Sequence, residues 1–359
     1  MKRILLLLLA FCSVQFIFAQ SHSHSHGRHL HFPDIPGYKT LLCDFHQHTV
    51  FSDGSVWPDI RVQEAQKDGL DAISLTEHLE YQPHKADIPH PDRNRSFEIA
   101  KNHAKNSDLM VISGSEITRS MPPGHSNAVF VTDSNKLLND DAMTVFREAR
   151  AQDAFVFWNH PNWTSQVKSG IATLTPMHLE LINGNLMQGI EVVNEDTYSD
   201  EALQIALDHN LTIMGTSDIH GLIDWQYDVP KGHRPVTLVF AEERSEKGIK
   251  DGLFNRRTVV FFNNVLIGRS NYLVPLIEAS IQADNVTYIG KTQVLSVTLK
   301  NNSSVDYMLD NKSNYTFHKH TDIVTVPAES SVEIQIKTLE NLKSMNITFE
   351  VLNAVVAPN

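Results

Sequence analysis

Cysteine is scarce in this chain, with two residues, Cys12 and Cys43, among 359. Cys12 lies inside an apolar N-terminal run that we expect to be removed, so Cys43 has no partner for an intramolecular disulfide. Positive charge is scarce too, because 30 lysines and arginines face 42 acidic residues and give a formal net charge of −12. Since binding to a phosphate backbone needs clustered cations, nucleic acid is not an expected partner.

Long apolar runs are missing beyond the N-terminus. Lys2 and Arg3 precede a leucine-rich run that ends near Ala19, which is typical of a secretory signal spanning residues 1–19. The alternative is an uncleaved anchor helix, although the run is short for a membrane span. The signal predicts a periplasmic or secreted protein with no membrane span in its mature part. Residues 20–38 begin with a histidine-rich tract, for which we expect a flexible segment that binds metal loosely.

Residues 39–270 alternate between strand-like and helix-like patterns. The predicted strands after the one that starts at residue 39 span residues 70–75, 109–113, 127–131, 154–158, 189–193, 211–215 and 236–240. The predicted helices span residues 58–68, which end at Gly69, then 141–152, and 199–209 with Ser199 as N-cap. This alternation of strands and helices predicts an α/β domain with a parallel sheet, either open or closed into a barrel.

Residues 271–359 have a different pattern. Short alternating runs such as 294–299 and 332–336 are separated by turns rich in Asn, Ser and Thr, and only 339–343 suggests a helix. We expect a small β-sandwich appended to the larger domain.

Residue types that bind metals occur where the predicted strands of the larger domain end. His46 and His48 are two residues apart, so on a strand both imidazoles face the same side. The same kinds of residue recur further along the chain as His78, Glu116, His160, Asp218 and His220, and His125 precedes another strand. Burying so many polar groups without partners would cost several kcal/mol each, roughly, whereas metal coordination satisfies them together. Mixed histidine and carboxylate ligands suit Zn²⁺, Mn²⁺ or Fe²⁺ rather than Ca²⁺.

In this order, the motifs resemble the polymerase and histidinol phosphatase (PHP) domain. The motifs are His46-x-His48, Ser52-Asp53-Gly54, Thr76-Glu77-His78, Glu116, His125, His160-Pro161 and Ser217-Asp218-x-His220, and the resemblance spans about residues 40 to 264. It implies a distorted seven-stranded (β/α) barrel that holds two to three divalent transition-metal ions. Members of the family often have Thr-Asp-His where this chain has Thr76-Glu77-His78, and we expect little consequence because Glu77 is outside the ligand set.

The resemblance also implies how the ligands are shared among the ions. One ion would be held by His46, His48, Glu116 and Asp218. Glu116 would bridge to a second ion, which His125 and His160 also bind. A third ion would be held by Asp53, His78 and His220, and it is the least regular in the family because some members have histidine in place of Asp53.

A metal cluster of this kind is suited to hydrolysing a phosphate ester with a hydroxide that bridges the ions. The predicted catalytic residues are Glu116, His125, His160 and Asp218, with Arg119 as a contact to the substrate's phosphate. Arg234 and the pair Arg256-Arg257 are alternatives for that contact, and surface salt bridging is the alternative role for all of these arginines. Three further histidines lack ligand spacing, and we expect them on the surface or in loops: His84, His90 and His178.

Secretion and the appended β-domain further resemble secreted PHP phosphodiesterases. The resemblance implies hydrolysis of small organic phosphate diesters, so the expected partner is a small-molecule phosphate ester. The alternatives are a phosphomonoesterase of the histidinol-phosphatase type and a non-catalytic metal-binding protein. No pattern in the sequence predicts an oligomeric state.

Overall fold

The computed structural model of the chain describes residues 29–229 and 231–358. The expected signal at residues 1–19 and the first part of the histidine-rich segment, residues 20–28, lie outside the described residues. The rest of that segment, residues 29–38, was expected to be flexible but is packed. Leu30 donates its backbone N–H to the Asp68 carbonyl at 2.9 Å, and Phe32 and Ile35 are buried. Apolar side chains therefore hold this stretch against the rest of the protein.

Twelve strands form one large mixed sheet. They are β1 (Lys39–Asp44), β2 (Ala72–Leu75), β3 (Met110–Ile117), β4 (Ser126–Val129), β5 (Phe155–Trp158), β6 (Gly189–Asn194), β7 (Thr197–Tyr198), β8 (Thr212–Thr216), β9 (Val236–Ala241), β10 (Thr258–Phe262), β11 (Val265–Gly268) and β19 (Ala354–Val355). Their order is β19-β11-β10-β9-β1-β2-β3-β4-β5-β6-β7, and β8 pairs with β6. Each predicted strand is present, and its ends agree with the prediction to within four residues.

The sheet is mixed, whereas the sequence predicted a parallel one. The parallel pairs β1–β2, β2–β3, β5–β6 and β6–β8 form the central part. The antiparallel strand β4 is inserted between β3 and β5, and β9 runs antiparallel to β1. Apolar strands that alternate with helices do not by themselves fix strand direction, so this feature was not accessible from the pattern.

In the part of the chain that the structure describes, eight α-helices connect the strands. They are α1 (Pro58–Asp68), α2 (Arg95–Ala104), α3 (Ala142–Ala151), α4 (Pro176–Asn183), α5 (Asp200–Asp208), α6 (Ile223–Gln226), α7 (Glu246–Phe254) and α8 (Ser270–Ser280), and a 3₁₀ turn spans Ser134–Leu137. The helix α1 starts with a proline at its first position and ends at Gly69, which has the left-handed φ of 74° that glycine tolerates. Ser199 caps α5 by accepting the N–H of Ala202 at 3.1 Å, as predicted.

Where the curved sheet approaches closure, threonine side chains of β9 and β10 form hydrogen bonds with the backbone of β8. Thr237 Oγ1 donates to the Gly215 carbonyl at 2.8 Å, and the Gly215 N–H lies 3.0 Å from the same oxygen. Thr258 Oγ1 donates to the Ile213 carbonyl at 2.8 Å. A Cβ at Gly215 would lie 2.2 Å from a methyl of Val260, so only glycine allows β8 to approach β10 this closely. The first domain is therefore a distorted barrel, as expected.

The remaining strands form two antiparallel sheets that face each other. One contains β12 (Ile281–Tyr288), β13 (Val294–Asn301), β15 (Thr316–Phe317) and β17 (Ser331–Lys337), and the other contains β14 (Tyr307–Asn311), β16 (Ile323–Val326) and β18 (Phe349–Val351). Alternate residues of both sheets, among them Val297, Leu309 and Ile334, are buried in a shared apolar core. The expected β-sandwich is present.

Two details of this second half differ from the prediction. Helix α8 covers residues for which the sequence suggested no helix, and residues 339–343 form none. The strand β19, beyond the sandwich in sequence, returns to the large sheet and pairs with β11. Among residues 29–229 and 231–358, no helix combines the length and apolar character needed to cross a bilayer.

Candidate metal centre

The nine predicted ligand residues lie together at one end of the large sheet. Glu116 lies in β3 and His125 just before β4, and the others lie in loops: His46, His48 and Asp53 after β1, His78 after β2, His160 after β5, and Asp218 and His220 after β8. The carboxyl ends of neighbouring parallel strands meet at one edge, which is why residues far apart in sequence converge.

Backbone contacts join the two loops that carry most of these residues. His48 donates its N–H to the Ile219 carbonyl at 3.0 Å, and Gln47 pairs with Ile219 in a parallel bridge. Arg61, which is buried in α1, donates to the His48 carbonyl at 3.0 Å and to the Ile219 carbonyl at 3.1 Å. The loop after β1 and the loop after β8 are thus held side by side.

Side chains of the nine residues fall into four overlapping groups, and the candidate ligand atoms within each group all lie within 4.8 Å of one another. The groups are His48, Asp53, His78 and His220; His46, His160 and Asp218; His46, His48 and Glu116; and His78, Glu116 and His125. These overlaps connect all nine residues into one cluster. Four residues each belong to two groups: His46, His48, His78 and Glu116. The expected division of the ligands among three ions stays a prediction.

The innermost contacts are between His46, His48 and Asp218. The Nε2 atoms of the two imidazoles lie 3.1 Å apart, and each lies 3.0 Å from Asp218 Oδ1. Three atoms that can each offer a lone pair therefore converge on one point.

Glu116 is fully buried at the centre of the cluster. Its Oε1 lies 3.0 Å from His125 Nδ1 and 3.5 Å from His160 Nε2, and its Oε2 lies 2.5 Å from His78 Nδ1. The same carboxylate lies 3.6 Å from His46 Nε2. A carboxylate with candidate ligands beside both oxygens is placed to bridge two ions.

Asp53 and His220 form the outer part of the cluster. Asp53 Oδ1 lies 3.1 Å from His220 Nε2 and 3.8 Å from His48 Nδ1, and Asp53 Oδ2 lies 3.4 Å from His78 Nε2. The His220 ring stacks on that of His48 with centroids 4.3 Å apart.

Burial and neighbouring charge shift the pKa values in opposite directions across the cluster. Burial lowers the pKa of His46, but Asp218 and Glu191 outweigh it and raise that pKa well above its ordinary value. Burial, together with the neighbouring imidazoles, lowers the pKa of His48 to about 3. Burial raises the pKa of the Glu116 carboxyl, yet the nearby histidines, His78 first, bring it well below the ordinary value. Buried carboxylates are thus balanced by protons on imidazoles, and a divalent cation can replace those protons.

The buried carboxylate oxygens and the histidine nitrogens near them are oriented as expected around a bound metal ion. The buried oxygens Asp53 Oδ1, Glu116 Oε2 and Asp218 Oδ1 have no hydrogen-bond partner, although histidine nitrogens lie 2.5 to 3.1 Å from them. Close atoms that are not aligned for N–H···O bonds are expected when their lone pairs point at a common ion. The donor set of imidazoles and carboxylates also suits a divalent transition metal.

Glu191, in the buried strand β6, orients several members of the cluster. Its Oε1 accepts hydrogen bonds from His46 Nδ1 at 2.8 Å and from Thr216 Oγ1 at 2.6 Å. Its Oε2 accepts from the His160 backbone N–H at 2.7 Å and from Asn194 Nδ2 at 2.9 Å. The bond from Nδ1 leaves the Nε2 lone pair of His46 free for a metal. We did not single out Glu191 from the sequence, although a charged residue within an apolar strand was a visible signal.

Glu77 has a larger structural part than expected. It is buried and accepts hydrogen bonds from the Thr49 N–H at 3.0 Å, from Thr49 Oγ1 at 2.5 Å and from Ser52 Oγ at 2.5 Å. Ser52 Oγ in turn lies 3.2 Å from His48 Nδ1. Glu77 therefore fixes the loop that carries His48 and Asp53, without being a candidate ligand.

The arginines proposed as phosphate contacts are engaged elsewhere. Arg119 pairs with Glu80 at 2.9 Å and donates to backbone carbonyls of residues 139 and 140, so its catalytic role stays a prediction. Arg234 is buried and pairs with Asp68 at 2.6 Å and with Asp44 at 3.2 Å. Arg257 forms an ion pair with an aspartate of α7.

Two histidines outside the cluster are buried rather than at the surface. His178 lies in α4, stacks on Trp158 with ring centroids 3.9 Å apart, and donates to the Pro123 carbonyl at 2.7 Å. His90 places its Nε2 2.6 Å from the Phe51 carbonyl. Neither histidine belongs to the four groups. His90 lies in a loop, as expected, whereas His178 is buried in a helix, so the expected surface or loop position was wrong for His178. Helical capping and aromatic stacking, which hold His178, leave no spacing signal in a sequence.

The cluster forms the floor of a cavity of about 180 Å³. Ten residues line it: Asp53, His78, Glu116, His125, His160, Trp163, Asn194, Glu195, Asp218 and His220. Trp163 is the apolar member, half-exposed, with its ring centroid 5.1 Å from that of His160. No lysine or arginine is among these lining residues.

Two of the candidate ligands have strained backbone conformations. His160 has a φ of 28° and Asp218 a φ of 47°. Positive φ is rare for residues with side chains and is found at functional sites, where the surrounding structure holds it. The His160 backbone N–H is held by Glu191, as described above.

A solved structure that is similar over nearly the whole chain comes from Bacteroides vulgatus. It is described as a two-domain protein containing a predicted PHP-like metal-dependent phosphoesterase. The two chains are 44% identical, the match covers 92% of this chain and 95% of that one, and the TM-score is 0.85. A family model for an Ig-like domain matches residues 281–359, which are the β-sandwich strands and β19.

Two further similarities are lower in sequence identity or cover less of the chain. The structure of PsfC from Pseudomonas syringae is 17% identical, with 67% of this chain and 96% of that one covered and a TM-score of 0.45. An uncharacterised protein of Methanocaldococcus jannaschii is 38% identical over 82 residues, which are 22% of this chain. The match spans about a third (34%) of the length of that curated relative.

Proposed function

This chain belongs to the two-domain PHP-like metal-dependent phosphoesterases, and on that premise we propose that it hydrolyses small organic phosphate diesters. The cluster of nine candidate ligands would hold two or three divalent transition-metal ions, with Zn²⁺, Mn²⁺ and Fe²⁺ as the candidates.

The observation that carries the choice of a diester is the charge of the cavity lining. Four carboxylates line it, those of Asp53, Glu116, Glu195 and Asp218, and no lysine or arginine does. A phosphate monoester carries nearly two negative charges at neutral pH, whereas a diester carries one. Without a guanidinium or ammonium beside the substrate, the single charge of a diester is the easier one to accept.

The side chains have separable tasks in this proposal. Bound divalent ions would lower the pKa of a coordinated water and neutralise charge on the phosphoryl oxygens. His46, His48 and Asp218 would hold the ions, and Glu191 fixes the His46 ring so that its Nε2 faces them. Trp163 supplies an apolar wall against which one organic group of the ester can lie.

The test compares hydrolysis of bis(4-nitrophenyl) phosphate with that of 4-nitrophenyl phosphate. Mature protein is reconstituted with Mn²⁺ or Zn²⁺, and metal content is measured by mass spectrometry. We expect faster turnover of the diester and a loss of at least about 100-fold in His46→Ala. His103→Ala, which removes an exposed imidazole from α2, is the matched control and should keep full activity.

Each other outcome has a defined meaning. Faster turnover of the monoester would replace the proposal with a phosphomonoesterase of the histidinol-phosphatase type. Bound metal with no turnover of either ester would support a non-catalytic metal-binding protein. Equal activity of His46→Ala and the unmodified protein would reject this cluster as the reaction site.

We also propose that the enzyme acts in the periplasm or outside the cell. The support is the sequence of residues 1–19, with two basic residues, a leucine-rich run and Ala19 before the expected cleavage point. Cell fractionation together with N-terminal sequencing of the mature protein tests this, and a cytoplasmic protein that retains Met1 would refute it.

A further inference from the structure

Glu195 is a carboxylate in the cavity lining that belongs to none of the four candidate ligand groups. It lies between β6 and β7, whose residues Asn194 and Thr197 pair across a two-residue connection. The proposed hydrolysis still lacks a group that gives a proton to the departing alcohol oxygen, and Glu195 is placed to fill that need.

The backbone holds Glu195 in an unusual conformation. Its φ is 51°, in the left-handed region that Gly or Asn usually occupies in such short connections. The Glu195 N–H donates to the Thr216 carbonyl at 3.2 Å, which ties the connection to the end of β8. A positive φ costs more free energy for glutamate than for glycine. The presence of glutamate here therefore indicates that its side chain has a function at this position.

The surroundings of the Glu195 side chain favour its neutral, proton-carrying form. Its described hydrogen-bond partner is an uncharged amide, Gln226 Nε2, at 3.4 Å from Oε1. Burial raises the pKa of Glu195. Asp218, His220 and Asp196 are the titratable groups near its carboxyl, and the first two of them are candidate metal ligands.

We propose that Glu195 is the general acid that protonates the leaving oxygen of the phosphodiester, an inference that rests on the proposed function. A hydroxide oxygen forms a new bond to phosphorus while the bond from phosphorus to the leaving oxygen breaks. The electron pair of the broken bond takes the proton of the Glu195 carboxyl, and the resulting carboxylate regains a proton from water.

The positions of two carboxylates in the cavity support this direction of reaction. Both residues line the cavity, and Glu116 is fully buried whereas Glu195 is half-buried. In an in-line displacement the attacking and leaving oxygens lie on opposite sides of phosphorus. If the attacking oxygen lies beside the buried Glu116, the leaving oxygen lies on the more exposed side of phosphorus, which is the side on which a half-buried residue such as Glu195 is found.

The test uses a series of aryl methyl phosphates whose phenols differ in pKa, from 4-nitrophenol to unsubstituted phenol. A general acid matters little for a good leaving group and most for a poor one. In Glu195→Gln we expect kcat for the nitrophenyl ester within about threefold of the unmodified protein and kcat for the phenyl ester lower by roughly 100-fold. For the unmodified protein we expect kcat for the phenyl ester to fall at alkaline pH, where a general acid has lost its proton. This fall should be absent in Glu195→Gln.

Glu180→Gln is the matched control, because it removes an exposed carboxylate on α4 that is outside the cavity lining. Metal content and melting temperature are measured for both variants, and Glu195→Ala gives a second reading should the glutamine variant be unstable. An equal loss for every ester, a loss explained by lower metal content, or no loss at all would overturn the role of Glu195. An unmodified protein inactive on the whole series would instead reject the proposed function.

Discussion

Replacing Glu191 by glutamine should weaken the metal centre although Glu191 is not a candidate ligand. Each oxygen of the carboxylate accepts two hydrogen bonds, Oε1 from His46 and Thr216 and Oε2 from His160 and Asn194. A glutamine has one oxygen and one NH₂ group, so on one side two donors would meet a donor. Neither orientation of the amide can satisfy all four neighbours.

The two orientations have different costs. With the NH₂ group toward His160 and Asn194, two hydrogen bonds are lost in a buried site, at about 1–3 kcal/mol each. With the NH₂ group toward His46, the Nδ1 atom must become the acceptor, which moves the ring proton to Nε2 and blocks the atom that faces the cluster. Loss of such an orienting partner typically weakens metal binding by about 10- to 100-fold.

Competition with a fluorescent chelator measures the dissociation constants of Mn²⁺ or Zn²⁺ for the unmodified protein and Glu191→Gln. Glu180→Gln, an exposed change on α4, is the control for loss of one negative charge. The reasoning that this carboxylate sets the tautomer of His46 would be refuted if Glu191→Gln kept its fold and bound the metal with an affinity within about threefold of that of the unmodified protein.

Two further predictions concern stability. Arg234→Met removes the buried guanidinium that pairs with Asp44 and Asp68 and should lower the free energy of unfolding in urea by about 3–5 kcal/mol. Arg95→Met, in an exposed ion pair, should change it by less than about 1 kcal/mol, and equal effects of the two variants would contradict the argument. Burial lowers the pKa of His178 from 6.5. Just below pH 6.5 the unfolded chain therefore binds a proton that the folded protein does not. The stability that His178 contributes is thus present above pH 6.5 and lost as the pH falls below it. Unfolding measured at pH 7.5 and pH 5.5 should show that His178→Gln removes part of this loss, and an unchanged difference between the two pH values would show that His178 does not contribute.

The ligand cluster could be predicted because its signals are local. His46 and His48 are two residues apart directly after one predicted strand, and Asp218 and His220 repeat this spacing after another, so the sequence places both pairs at strand ends. Their convergence follows from the rule that parallel strands end at one edge. Glu116 and His125 needed the family resemblance in addition, since a single carboxylate or imidazole carries little information.

The residues that surround the cluster could not be predicted in the same way. Arg234 resembles a surface cation until Asp44 and Asp68, far away in sequence, are found beside it. The positive φ of Glu195 depends on a two-residue connection whose length became clear only when β6 and β7 were paired. Partners distant in sequence and backbone conformation are set by tertiary structure, which the pattern of a single segment does not contain.

The pairing of β19 with β11 has a consequence for how the protein is made. Leu266 and Ile267 of the large sheet pair with Ala354 and Val355, which follow the whole sandwich in sequence. During synthesis, the barrel sheet therefore stays incomplete at this edge until the ribosome has passed the second domain. Until then β11 presents open N–H and C=O groups to any other strand, a hazard for aggregation. The large sheet is therefore complete only after the sandwich domain has been synthesised, because its edge strand β19 follows that domain in sequence.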